Sequence, residues 1–398
     1  MSNLNSTPSA NRTHIGFFGS RNAGKSSLVN AVCDQDIAVV CDTLGTTTDP
    51  VQKSMEILPL GPVVIIDTPG FDDEGELGRL RVQKTEQVLS KTDIAVLVVD
   101  AQKGKTQSDE QLLKIFADKK IPHLVVYNKS DLGIDISLQN GEMKVSAKTR
   151  EGVDELKNRL ALIKPTTTDK SLFDGIIKKG DTVVLVCPID ESAPKGRLIL
   201  PQVQAIRSLL DGFAIAVVVK ETELPLALDS LKNPPALVVC DSQVFKKCDE
   251  IVPKSVPLTS FSILMARFKG FLATAVTGVS ALKSLENGDK ILISEGCTHH
   301  RQCGDIGTVK IPTKLKAVLQ KDLNFEFTSG TEFPRDLSQY KLVIHCGACM
   351  LNEREVASRK SNALSQNVPF TNYGITLAFL SGILERSIEI FPDIKKLL

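Results

Sequence analysis

The chain has 398 residues, 42% of them hydrophobic and 24% charged. At about 150 residues per domain this length implies two or three domains, and the composition excludes a disordered, collagenous or coiled-coil chain. Forty-eight Lys and Arg against forty-seven Asp and Glu leave a net charge of +1, so the global basic surplus of a nucleic-acid binder is missing.

In chain order, residues 1–12 are polar and rich in Ser and Asn, with no apolar core of a secretory signal. They read as a frayed tail, and the expected location is a reducing cytoplasm. The nine cysteines are then thiols or metal ligands, not a disulfide framework. No apolar run approaches the roughly eighteen residues a membrane span needs. The richest stretch, Phe268 to Leu282, is interrupted by Lys269 and by Gly and Thr.

Apolar runs at Ile15–Phe18, Val63–Asp67, Ile94–Asp100, His123–Tyr127 and Met143–Val145 read as strands. Helical spacing at Lys25–Val32, Gln107–Lys119 and Gly152–Ile163 separates them, as in βαβ units. A linker near Pro165 follows, then two smaller patterns of the same kind. The first runs through Thr182–Val186, Val203–Leu210, Ala214–Val219, Pro225–Leu231 and Leu237–Cys240. The second runs through Lys290–Ser294, Lys314–Gln320, Lys341–Ile344, Glu353–Leu364 and Thr376–Ile388. The expected architecture is α/β: a tail over 1–12, then domains over 13–164, 165–270 and 271–398, the first of P-loop type and the other two smaller.

Gly19 to Ser26 fits G-x-x-x-x-G-K-[ST] between a strand and a helix, the context a phosphate-binding loop requires. Its backbone N–H groups wrap phosphates, Lys25 reaches the β- and γ-phosphates, and the Ser26 hydroxyl ligates Mg²⁺. The candidate contacts in this loop are Gly19, Asn22, Ala23, Gly24, Lys25, Ser26 and Ser27. Asp67-Thr-Pro-Gly70 closes the next strand, where Asp67 holds Mg²⁺ through water and the Gly70 N–H meets the γ-phosphate. Asn128-Lys129-Ser130-Asp131 ends another. A carboxylate placed as Asp131 accepts from guanine N1–H and N2–H₂, a donor pair that adenine lacks. Ser146, Ala147 and Lys148 supply a further base-contacting loop. Four elements in this order define a GTP site.

These residues resemble the translation-factor-like GTPases, and most closely the branch of Era, EngA and the tRNA-modifying GTPase MnmE, over about residues 12–164. The resemblance implies a first switch at Gly45 to Asp49, with Thr47 on Mg²⁺. Phe71 stands where Ras-type enzymes carry the water-orienting Gln. Asn22 aligns with the position that binds K⁺ in potassium-activated relatives. The expected catalytic set is Lys25, Asn22, Thr47, Asp67 and Gly70, with slow, K⁺-stimulated hydrolysis.

Cys346-Gly-Ala-Cys349 follows a predicted strand and is preceded by His345; Cys297-Thr-His299-His300 follows another. Ligands bind beyond the carboxyl ends of strands in open α/β sheets. Three thiolates and an imidazole suit a closed Zn²⁺ site, and the same thiolates suit a [4Fe–4S] cluster with one exchangeable iron. Spacing alone leaves both open. Cys33, Cys187 and Cys240 read as core, Cys41 and Cys248 carry no assignment, and Cys303 is an ambiguous neighbour. The basic pairs Lys246-Lys247 and Arg359-Lys360 read as solvated faces.

Together the two sets of motifs resemble, end to end, the HydF family, the GTPases of [FeFe]-hydrogenase maturation. That resemblance implies a homodimer formed through the middle domain and a [4Fe–4S] cluster on Cys297, Cys346 and Cys349. His299 and His345 serve as fourth ligand or as outer groups, with Cys303 a local rival. The implied role is a scaffold that receives a diiron precursor from radical-SAM maturases and delivers it to apo-[FeFe]-hydrogenase, with neither nucleic acid nor membrane as partner. The competing function is a ribosome- or RNA-associated GTPase with a structural zinc domain, against which the absent basic surplus weighs.

Overall fold

A computed structural model describes residues 7–34, 50–58, 60–70, 84–133, 136–163, 170–189, 198–297 and 305–398. The chain divides into two compact units, Met1–Thr168 and Asp169–Leu398.

The first unit holds a six-stranded sheet. Its strands are β1 (Thr13–Phe18), β2 (Val51–Ile57), β3 (Gly61–Asp67), β4 (Ile94–Asp100), β5 (His123–Asn128) and β6 (Glu142–Lys144), in the order β2-β3-β1-β4-β5-β6. All neighbours are parallel except β2 on β3. Strand alternation explains why this sheet is buried on both faces. Ile94, Val96 and Val98 join Ile15 and Phe17 on one face, under Leu28, Val32, Leu156 and Leu160 of the helices Lys25–Cys33 and Val153–Ile163. Ala95, Leu97 and Val99 join Phe18 and Ile66 on the other, under Leu112 and Phe116 of the helix Gln107–Asp118. That helix starts on a reciprocal cap between Thr106 and Asp109. β2, whose side chains alternate between half-buried and exposed, is absent from the apolar-run reading because its sequence Val-Gln-Lys-Ser-Met-Glu-Ile is mostly polar.

The second unit contains two four-stranded parallel sheets. The first, ordered β10-β9-β7-β8, comprises β7 (Thr182–Val186), β8 (Ile215–Val219), β9 (Leu237–Cys240) and β10 (Leu258–Ser260). The second, ordered β12-β11-β13-β14, comprises β11 (Lys290–Ser294), β12 (Asn324–Thr328), β13 (Leu342–His345) and β14 (Phe370–Asn372). One continuous apolar core runs from Leu172 to Phe391 and serves both sheets. The helices Phe261–Phe268, Leu272–Gly278 and Tyr373–Leu380 lie in it, and the last is buried almost all round. The helical pattern over Thr376–Ile388 is in fact two helices, Tyr373–Leu380 and Leu384–Ile388, separated at Gly382 with its φ of 73°. Among the described residues no single helix is long and apolar enough to cross a membrane, and the Phe268–Leu282 stretch lies in bent, largely buried helices.

Candidate functional site

The first site lies at the carboxyl ends of β1, β3, β4 and β5. The loop from β1 into the helix Lys25–Cys33 turns through residues with positive φ at Gly19 (139°), Asn22 (61°) and Gly24 (85°). A side chain at Gly19 would fall on the Val98 carbonyl, and one at Gly24 on Asn128 Nδ2, so both positions require glycine. Asn22 is one of the few other residues that tolerates this conformation. The Lys25 ammonium is buried and donates to the carbonyls of Gly19 (3.0 Å) and Ser20 (2.8 Å), which keeps it folded along the loop.

Ser26 Oγ donates to Asp67 Oδ2 at 2.6 Å. Asp67 is 1% exposed, and its Oδ1 is a buried oxygen with no hydrogen-bond partner. Burial pushes its carboxyl above the usual carboxylate range, partly offset by Ser26 and by the Lys25 charge. A buried carboxylate with one oxygen unsatisfied beside a serine hydroxyl is the donor set a Mg²⁺ ion needs. Thr68 anchors the segment that ends in Gly70, its Oγ1 donating to the Phe17 carbonyl at 2.6 Å. Thr47, Phe71 and the expected first switch lie outside the described residues.

Asn128 joins three loops. Its Nδ2 donates to the carbonyls of Ala23 (3.1 Å) and Gly24 (3.3 Å), and its Oδ1 accepts the Ala147 N–H (3.0 Å). Lys129 Nζ donates to the Asn22 carbonyl (2.8 Å) and pairs with Asp100 Oδ2 (2.6 Å). Ser146 Oγ donates to Asp131 Oδ1 (2.7 Å) and accepts the Thr149 N–H (3.1 Å). Asp131 and Lys148 are exposed, and Ser27 follows Ser26 on the first helical turn. The expected loops from the P-loop to Lys148 thus meet at one edge of the sheet. Two members escaped the sequence reading. Asp100 anchors Lys129, and Asp109 accepts the N–H (3.2 Å) and Oγ–H (3.1 Å) of P-loop Ser20. Asp100 ends the apolar run Ile94–Asp100, a position that marks ligand ends of strands; for Asp109 the only signal was a helix cap.

The second site lies in the other unit, beyond the paired ends of β11 and β13, where Ser294 stands opposite His345. Cys346 is the next residue, and Cys297 lies three past the end of β11. The Cys346 N–H donates to the Ser294 carbonyl (2.9 Å), while Cys346 Sγ accepts the N–H of Gly296 (3.0 Å) and of Ala348 (3.3 Å). Ala348, fully buried, has a φ of 58°, so the chain turns sharply between the two cysteines. All three thiols are free and half-buried, and burial followed by their mutual charge repulsion raises Cys297. Burial and Cys346 push the Cys349 thiol up to about 12, with Lys269 pulling the other way.

His345 has both ring nitrogens engaged. Nδ1 donates to the Cys346 carbonyl (2.9 Å), and Nε2 accepts from Arg359 Nη1 (3.2 Å). Burial, then the Arg359 charge, lower its pKa to about 3, so the ring is neutral. His299 and Cys303 lie outside the described residues. Among those described, no three His, Cys, Asp or Glu side chains stand close enough together to hold a metal ion as placed. The chemistry of the set fits a thiolate-held metal centre all the same: three thiols at adjacent strand ends, one already receiving two backbone N–H groups. Arg359 corrects the reading of Arg359-Lys360 as a solvated face. It is 4% exposed, because its helix, Glu353–Ser365, turns it inward onto the ends of β11 and β13. Lys246 and Lys247 are exposed, and Cys33, Cys187, Cys240 and Cys248 are buried.

Fold and loops together define a P-loop GTPase domain followed by two parallel α/β sheets. Residues 14–129 match the 50S ribosome-binding GTPase family, residues 172–270 the hydrogen maturase F dimerization domain, and residues 273–390 the hydrogen maturase F tetramerization domain. The chain belongs to the hydrogen maturase F (HydF) family.

Among curated proteins it is similar to the tRNA modification GTPase MnmE of Chromobacterium violaceum, with 35% identity over 167 residues, 40% of this chain and 37% of that one. MnmE of Aquifex aeolicus is 36% identical over 152 residues, 37% of this chain and 33% of the relative. The chain thus spans little more than a third of the length of these relatives. Among solved structures, Aquifex aeolicus Era bound to GDP.AlF4- is 20% identical, with a TM-score of 0.36 over 52% of this chain and 93% of that one.

Proposed function

We propose that the chain is a GTP hydrolase that also serves as a [4Fe–4S] scaffold, carrying a diiron precursor to apo-[FeFe]-hydrogenase. The observation that carries this reading is the three thiols at the carboxyl ends of β11 and β13, in a region matched to hydrogen maturase F. Cys297, Cys346 and Cys349 would hold the cluster, which when bound supplies an iron able to exchange its outermost ligand. His345, bonded through both nitrogens, acts from outside the ligand shell and fixes the Cys346 peptide.

In the nucleotide site Ser26 and Thr47 would hold Mg²⁺, with Asp67 reaching it through water, and Lys25 would swing from the loop carbonyls to the phosphates. Asp131 leaves Ser146 to accept the guanine edge. Asn22, exposed on the P-loop, is the residue expected to bind K⁺. Hydrolysis would bias a switch segment that controls docking to radical-SAM maturases or to the hydrogenase.

Self-association fits the edge strand β8, where Ile215 and Val218 are 54% and 43% exposed and Phe213, two residues before it, is 71% exposed, on the region matched to a dimerization domain. Homodimerization there would cover an apolar edge that otherwise invites aggregation. Free thiols at all seven described cysteines accord with a reducing cytoplasm.

Anaerobic reconstitution with iron and sulfide tests the scaffold role. The protein should turn brown, with broad visible absorbance that reduction bleaches. Colourless protein carrying one zinc would contradict it.

A further inference from the structure

We propose that Arg359 is the positioning residue of the cysteine site: its buried guanidinium fastens the Cys297 and Cys346 segments to one another. The proposal rests on the cluster reading above.

Four acceptors surround the guanidinium. Nη1 donates to His345 Nε2 (3.2 Å) and to Ser294 Oγ (3.3 Å), and Nη2 to the Gly330 carbonyl (2.5 Å) and Glu355 Oε1 (2.7 Å). Three of these groups lie one hydrogen bond from a thiol-bearing residue. His345 Nδ1 donates to the Cys346 carbonyl (2.9 Å), and the Ser294 carbonyl accepts the Cys346 N–H (2.9 Å). The Gly330 N–H donates to the Cys297 carbonyl (3.1 Å). One side chain therefore ties the end of β11, the end of β13 and the turn at Gly330 into a single frame that spans both cysteine segments.

Charge and shape account for the choice of arginine. The pair with Glu355 is buried, its side chains 4% and 9% exposed, and such a pair does not by itself stabilise a fold over an apolar replacement. The fourth acceptor, Glu355, holds the guanidinium from one turn back on the same helix, and the Phe333 ring lies 5.3 Å from its central carbon. A lysine supplies the same charge from one nitrogen with three donors, and lacks the planar fork that meets these four acceptors. The arginine's place is set by geometry: the guanidinium bonds to His345 and to Ser294, the two residues that hold the Cys346 carbonyl and N–H.

Three chains are reconstituted anaerobically with iron and sulfide: wild type, Arg359→Lys, and the double variant Arg359→Gln with Glu355→Gln. Melting of each metal-free chain reports folding. Iron release to a chelator reports positioning, and an unchanged midpoint potential of the bound cluster shows that its ligands are the same. Arg359→Lys should release iron about tenfold faster, the usual cost of losing a group that orients metal ligands. Its midpoint should stay near that of wild type. The double variant should also release iron about tenfold faster; cation and anion leave together, so the net charge of the site is that of wild type and its midpoint should stay near wild type too. Wild-type iron release in both variants would overturn the proposal while leaving the cluster reading intact. Should the double variant melt out, wild-type iron retention in Arg359→Lys alone overturns it. A wild-type chain that takes up neither iron nor sulfide instead defeats the cluster reading itself.

Discussion

Replacing Asn128 by Ala removes three hydrogen bonds that tie the P-loop to the two base-side loops: two donated to Ala23 and Gly24 and one accepted from Ala147. Asn128 is 1% exposed, so water does not readily take over these partners. At about 1 kcal/mol each, the loss totals about 3 kcal/mol. The bonds exist before nucleotide arrives, so the cost divides between the stability of the first unit and the free energy needed to order the loops around GTP. If all of it fell on binding, affinity would drop about a hundredfold, since each 1.4 kcal/mol is a factor of ten. Titration of a fluorescent GTP analogue against wild type and variant measures the second share, and a melt of the nucleotide-free chain measures the first. The two losses should sum to about 3 kcal/mol. An affinity within threefold of wild type together with an unchanged melt would refute the view that Asn128 is the joint of the site.

Arg386 makes a comparable joint in the second unit, donating to Asp249 Oδ1 (2.5 Å) and to the carbonyls of Val252 (3.0 Å), Pro253 (2.7 Å) and Val256 (3.1 Å). Arg386→Met should cost about 3 kcal/mol, since the Val252, Pro253 and Val256 carbonyls lose this donor and Asp249 keeps only Lys254, lowering the melting temperature of that unit by about 6–12 °C. Burial pushes the Asp249 carboxyl up, but Lys254 and Arg386 outweigh it and hold it below the usual range. Its stabilisation is therefore full above the unfolded carboxylate pKa and fades as pH falls through the lower folded value, so the gap between variant and wild type should narrow in acid; a gap constant down to pH 2 would count against this assignment. GTP turnover should be faster in K⁺ than in Na⁺ buffer, and Asn22→Ala should erase the difference; equal rates in the two salts for the wild type would remove the cation from the mechanism.

The GTPase half was legible because its chemistry is local: glycines that need unusual φ, a lysine and serine at fixed spacing, and carboxylates at the ends of apolar runs. Strand β2 and the short strands β10, β12 and β14 were not, since polar alternation and three-to-five-residue elements carry little periodic signal. The cysteine segments were legible as a group, from their place after two strands. What lies beneath them was not. Arg359 and Lys360 look alike in the sequence, and only the packing of Glu353–Ser365 against β11 and β13 turns one inward to the thiols and leaves the other outside. The i,i+4 pairing of Glu355 with Arg359 was visible, but pairs of that kind are usually surface features. The shared core of the two rear sheets was hidden for a similar reason: which apolar faces meet is decided by tertiary packing, and each pattern alone reads as a separate domain.

We propose that one chain joins a GTPase to a thiolate-held iron–sulfur site in a separate unit. Iron, acid-labile sulfide and GTP turnover measured on the same anaerobic samples of wild type and Cys346→Ser test it most directly. Four irons and four sulfides per wild-type chain are expected as about the upper limit, with a near-complete loss of both in the variant and almost equal GTP turnover in the two. Equal iron and sulfide in the two chains, or turnover lost along with the cluster, would contradict it.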